Sequence, residues 1–192
     1  MNNMLLPGLL AILCASCAHA DTVIYRVDTR AGVSSTTYAV LTPKVELWAF
    51  APQTPAADLE IGRLWQVPSP KKTVLLAGGY YAFWPDGRKS FLEPYLVAKV
   101  ELGHLTLAVD GGAYLPLNKG PVITYLNEAS LTAPVDSHVQ FGLASSVWHQ
   151  DGQTTTRVGP KLSADLGGGI RLNARYLIGS GNTFRLAVSK AF

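Results

Sequence analysis

An antiparallel all-β meander closed into a transmembrane β-barrel of 8 or 10 strands is the fold this sequence predicts. Three observations carry the prediction. After Asp21 the chain is a series of short runs of β-branched, aromatic and alternating residues separated by turn residues, and no stretch keeps the apolar i, i+3, i+4, i+7 spacing of a helix. Most runs are ten to thirteen residues long. A strand tilted across a bilayer needs about nine to eleven, whereas soluble strands usually hold about five or six. Charged residues are only 15 % of the chain, against roughly a quarter in soluble domains.

The first twenty residues read as a signal peptide. Met4 to Cys17 is uncharged, largely apolar and too short to span a membrane, and Ala18-His19-Ala20 forms a small-x-small cleavage site before Asp21. A lipid anchor on Cys17 is a weaker alternative, because Cys14 stands where such a signal normally has Leu. Both cysteines of the chain fall in this segment. The mature part, 21–192, therefore has no disulfide, thiolate nucleophile or Cys-based zinc site.

Turn signals at Pro85-Asp86-Gly87, Gly103, Asn118-Lys119-Gly120, Pro134-Val135-Asp136, Asp151-Gly152, Gly167-Gly168-Gly169 and Gly179-Ser180-Gly181 leave eight strands. They run over 72–84, 89–101, 104–116, 121–132, 137–149, 155–166, 169–178 and 182–192. Tight connections alternate with more polar ones, as periplasmic turns alternate with outer loops. Residues 21–71 are harder to place. Tyr38 to Phe50 and Leu59 to Val67 make one extra hairpin and ten strands, with Arg63 on the lipid face. Alternatively 21–71 is a periplasmic or plugging segment on an eight-stranded barrel.

Face assignment follows from the period of two. Val158, Leu162, Leu172, Tyr176, Leu186 and Val188 fall on apolar faces, with Lys190 the one charge among them, near the end. The opposite faces carry charges with Gly, Ala and Ser, which suits a narrow lumen. The lumen network read this way holds Glu93, Lys99, Glu101, Asp110, Glu128, Arg157, Lys161, Asp165, Arg171, Arg175 and Arg185. The two signs nearly balance, and buried charges have to be paired. Trp84, Tyr114, Trp148, Tyr176 and Phe184 lie near strand ends and read as an outward girdle at the lipid interface.

Phe184 to Phe192 resembles the closing strand of bacterial outer-membrane β-barrel proteins, with alternating apolar positions and an aromatic final residue. Many members carry an aromatic where this chain has Lys190. The resemblance extends over the signal peptide and the strand rhythm, and it is to the class rather than to one family. It implies a cell outer membrane location, outer membrane lipids as surroundings, and Phe192 as the signal read by the barrel assembly machinery.

Function is less determined. A net charge of +3 without basic clusters argues against nucleic acid. No phosphate loop, dinucleotide fingerprint or zinc spacing occurs, so no cofactor or metal is expected. His149 and Asp151 stand together at a proposed outer loop, but two residues do not specify a triad. The reading is a non-enzymatic barrel, structural or a narrow channel with a charge-paired lumen. Its rivals are an outer-membrane lipid-modifying enzyme, and a soluble periplasmic barrel whose apolar faces turn inward around an apolar ligand.

Overall fold

Every strand in the computed structural model pairs antiparallel with its neighbours in sequence, and the first pairs with the last to close a barrel. Residues 21–30, 33–52, 58–83 and 90–192 are described. The strands are β1 (Thr22–Arg30), β2 (Val33–Leu41), β3 (Glu46–Pro52), β4 (Asp58–Val67), β5 (Thr73–Phe83) and β6 (Ser90–Leu102). They continue as β7 (Leu105–Pro116), β8 (Ile123–Pro134), β9 (Val139–Gln150), β10 (Gln153–Gly167), β11 (Ile170–Gly179) and β12 (Thr183–Ala191). The barrel thus has twelve strands, not eight or ten.

The eight strands expected from residue 72 onward appear as β5 to β12, with ends moved by at most two residues. The correction lies upstream. Residues 22–41 form a hairpin of their own, and 38–50 is divided between β2 and β3. The break is a side-chain-capped turn. Thr42 Oγ1 accepts the backbone N–H of Val45 at 3.0 Å and of Lys44 at 3.3 Å, and Thr42 N–H reaches the Val45 carbonyl at 3.0 Å. A threonine hydroxyl replacing a backbone partner is a weak turn signal in sequence.

Both chain ends of the barrel lie on the same rim, where Phe192 N–H donates to the Asp21 carbonyl at 3.1 Å. Short turns face this rim, as periplasmic turns do in bacterial barrels. In the turn before β9, Asp136 Oδ1 accepts the N–H groups of His138 at 2.6 Å and Val139 at 2.8 Å. Those two donors hold the Asp136 carboxyl below the usual aspartate range.

Alternation sorts the side chains by face. Leu92, Leu96, Leu107, Leu131, Leu143, Val158, Leu162, Tyr176, Phe184 and Leu186 stay exposed on the outside of the barrel. A continuous apolar outer wall of this kind belongs in hydrocarbon and rules out the soluble barrel with inward apolar faces. Tyr176 and Phe184 are direct cross-strand partners on that wall. Arg63 also points outward, pairs with Gly79 across the ladder, and holds its guanidinium 5.8 Å from the centre of the Trp65 ring. Lys190 Nζ turns to the Gly168 carbonyl at the periplasmic rim.

Two expectations follow from this sorting. Leu172→Arg should cost the barrel about 2–4 kcal/mol, read from denaturant unfolding in lipid, with Asn173→Ser mild by comparison. Cysteines placed at 162, 172 and 186 should be quenched by lipid-borne probes, and aqueous quenching at all three would invert the faces.

Candidate functional site: the lumen

Strand β8 carries one extra residue between Leu126 and Ala129, relative to both β7 and β9. This bulge places Asn127 and Glu128 in succession on the lumen side, where strict alternation would allow one of them. From β8 they reach β10, β11 and β12. Glu128 Oε2 accepts Arg175 Nη1 at 2.9 Å, and its Oε1 accepts Lys161 Nζ. Asn127 Oδ1 accepts Arg185 Nη1 at 2.9 Å and Arg175 Nη2 at 3.4 Å. The intervening β9 leaves the way clear, because Gly142 and Ala144 are its residues paired to Lys161 and Gly159.

Lys161, Arg175 and Arg185 are themselves successive cross-strand partners. Like charges side by side are destabilising unless neutralised. Glu128 and Asn127 supply part of the neutralisation, and Asp28 supplies more. Asp28 is the cross-strand partner of Arg185, accepts its Nε, and lies 2.8 Å from Arg26 Nε. Together these groups form a bridge of paired charges across the lumen.

A cavity of about 930 Å³ runs along the lumen past the bridge, lined by Arg30 and Val33 near the outer rim and by Leu41 and Glu46 at the periplasmic ends of β2 and β3. Its two sides differ. Strands β5 to β9 present aromatic rings. Tyr114 stacks on Tyr125 at 5.1 Å between ring centres, Tyr125 on Trp148 at 5.6 Å, and Phe91 meets Tyr114 edge-on at 5.6 Å. Tyr95 and Tyr80 continue the series, with contacts of 6.1 Å to Tyr125 and 5.9 Å between them. Gly112 makes the room: a Cβ there would come within 3.2 Å of the Tyr125 hydroxyl and 3.1 Å of the Tyr95 ring.

The tyrosine hydroxyls are anchored on acids. Tyr114 donates to Glu60 at 2.8 Å, Tyr95 to Asp110 at 3.0 Å, Tyr125 to Glu93 and Tyr80 to Glu46. Glu60 and Glu93 are only 6 % and 2 % exposed, and both stand in the cavity wall with Glu46 and Asp110. Facing them are the guanidiniums of Arg30 and Arg157. Arg157 Nη2 and Arg30 Nη2 converge on the Ser180 carbonyl at 2.9 and 3.5 Å, and Arg157 Nε donates to Gly181 at 2.8 Å.

No protein-family model matches the chain, and no curated protein does. Solved structures do. The KdgM porin aligns with a TM-score of 0.67 at 10 % identity, over 89 % of this chain and 99 % of its own. The NanC porin gives 0.67 at 12 %, over 88 % and 100 %. An outer membrane channel from Pseudomonas putida F1 gives 0.57 at 11 %, over 89 % and 94 %. The fold is that of the outer-membrane porins. At these identities the likeness is one of fold alone.

Within this porin fold the expected lumen residues divide into two groups. Glu93, Asp110, Arg157, Arg175 and Arg185 line the cavity, and Glu128 and Lys161 complete the bridge in its wall. Lys99, Glu101, Asp165 and Arg171 instead lie at the periplasmic ends of their strands, exposed. Arg171 and Asp165 are cross-strand partners 3.9 Å apart, with side chains 72 % and 46 % exposed. Phe192 is 74 % exposed at the periplasmic rim, with Lys190 Nζ 5.7 Å above its ring.

The aromatic girdle needs correcting. Tyr114 and Trp148 line the lumen rather than the lipid face. Tyr114 shares its face with Asp110 and Gly112, a phase visible in sequence, but proximity to a strand end was no guide to its direction. Trp84 falls outside the described residues. His149 Nδ1 bonds to Thr154 Oγ1 at 2.8 Å, whereas Asp151 pairs with Gln150 Nε2 at 3.3 Å. Sequence reading missed Arg26, Asp28, Glu46 and Glu60, because 21–71 was left open between a barrel hairpin and a separate segment. It missed Asn127 because a bulge has no local signature there.

Glu128→Gln should cost up to about 3 kcal/mol, since it leaves Lys161 and Arg175 without their carboxylate. Adding Lys161→Met should recover part of the loss. A double-mutant cycle by denaturant unfolding of the refolded barrel measures the coupling, and strict additivity would show that the bridge does not hold the wall.

Proposed function

We propose that this chain is a non-enzymatic outer-membrane channel, narrowed in mid-lumen by paired charges. The observation that carries the reading is the bridge from Asn127 and Glu128 to Lys161, Arg175 and Arg185 in the wall of the lumen cavity. A purely structural barrel has no need of a cavity of about 930 Å³ lined on one side by cations. The porin and channel folds of its structural neighbours support the same reading. KdgM has also been captured in complex with disordered oligogalacturonate. A preference for anions here fits Arg30 and Arg157, which bond to loop carbonyls at the outer mouth.

The route to the membrane is part of the proposal. Residues 1–20 act as the export signal, Phe192 is read by the barrel assembly machinery, and outer membrane lipids surround the apolar wall.

Planar-bilayer recording on the refolded protein tests the channel. Small openings are expected in the native chain, and Asn127→Ala with Glu128→Ala should enlarge them by opening the bridge. Large, steady, anion-selective native currents would overturn the narrowed lumen. Absence of any ionic current from protein with the heat-modifiable mobility of a folded barrel would overturn the channel itself.

A further inference from the structure

We propose that the outer half of the lumen selects small aromatic carboxylates, through an aromatic wall facing a pair of guanidiniums without a carboxylate partner among the described residues. The proposal rests on the channel reading and names its substrate class.

The wall comes first. Phe91, Tyr114, Tyr125 and Trp148 are in ring-to-ring contact on four consecutive strands at 5.1 to 5.6 Å, and Tyr95 carries the series towards the charge bridge. What this wall offers a solute is decided by its hydroxyls. Those of Tyr95, Tyr114 and Tyr125 are all donated to carboxylates. Glu60 and Glu93, in the same wall, are themselves almost fully buried. The lumen therefore meets ring surface, and the donors that a sugar's hydroxyl groups would need are already committed. A polyhydroxylated solute pressed to this wall would lose hydration without compensation. A flat apolar ring would gain stacking contacts there.

The cations come second. Arg157 is buried, and its bonds run to the Gly181 and Ser180 carbonyls. Arg30 reaches the same Ser180 oxygen. Among the described residues neither guanidinium has a carboxylate partner, in contrast to Arg175 and Arg185 lower down. A guanidinium is built for planar carboxylate recognition. Thr183 Oγ1, on the cavity wall beside them, is also buried without a partner.

Register brings the two features together. Ser146 pairs with Arg157 and Trp148 with Thr155, so Trp148 is the diagonal inward neighbour of Arg157 on the adjoining strand. That diagonal spans about 7–8 Å between backbones, within reach of a long side chain. A ring stacked on Trp148 can thus present its carboxylate to Arg157. Two fixed contacts of different chemistry, at one spacing, select for a ring and an anion in the same small molecule.

The test uses the full refolded chain in planar bilayers. Reversal potentials are measured with potassium benzoate, and then potassium glucuronate, opposing potassium chloride. Benzoate should be favoured over glucuronate beyond the ratio of their mobilities in water. Trp148→Ala should lower that ratio about 3- to 10-fold, the worth of one aromatic contact, and Trp148→Phe should retain most of it. Arg157→Gln should lower the permeability of benzoate relative to potassium. Trp148→Leu, which keeps apolar bulk without a ring, replaces Trp148→Ala if that variant loses heat-modifiable mobility. A native ratio equal to the aqueous mobilities, or one that Trp148 and Arg157 substitutions leave unchanged, would overturn this proposal while the channel stands. Loss of all ionic current in the native protein would overturn the channel instead.

Discussion

Lys161, Arg175 and Arg185 stand beside one another on three adjacent strands, and the wall is tenable only because acids and an amide meet them. Glu128 serves two of the three and Asn127 serves two, with Arg175 common to both. Each cation would otherwise face like charge across a ladder spacing of about 5 Å. The extra residue in β8 is what puts the carboxylate and the amide on the lumen side together. Asp28 on β1 then ties the first strand to the last through Arg185, at the seam where the barrel closes. One irregularity in one strand thereby gathers this cluster of charges beside the seam where the barrel closes.

The same logic of anchored groups shapes the opposite side. Buried carboxylates on β4, β6 and β7 would be costly alone. Here each accepts a tyrosine hydroxyl, Asp110 from the adjacent β6, Glu93 from β8 and Glu60 from β7, and the rings are thereby held in place. Acidic residues that would otherwise give a negative wall are covered by their own partners. The lumen is left with an aromatic side and a basic side, although the sequence carries nearly equal numbers of acids and bases. Chemical asymmetry in this channel comes from what covers a charge as much as from where the charge lies.

Strand number controls how much of this is available to a solute. An eight-stranded barrel is just wide enough to be filled by side chains. Twelve strands leave a cavity along the lumen, and the extra width comes from residues 22–67, which supply Arg26, Asp28, Arg30, Glu46 and Glu60 to its lining. The N-terminal third is therefore part of the site and not an attachment to it.

Much of the fold was legible in the residues alone. The period-two alternation of 157–166, 170–178 and 184–192 determined which side of each strand meets lipid, because a strand's side chains have no other way to alternate. Long runs and turn residues located β5 to β12 within a few residues. What only the tertiary structure decided was whatever depends on pairing between strands. The turn at Thr42 relies on a side-chain hydroxyl, and the bulge at Asn127 is defined only against β7 and β9. Trp148 and Tyr114 are aromatic near strand ends, like Tyr176 and Phe184, yet they face the opposite way. Local composition is the same for both pairs. Direction is fixed by phase along the whole strand, which the sequence carries, whereas the partners of a charge are fixed by register across several strands and emerge only once the barrel is closed.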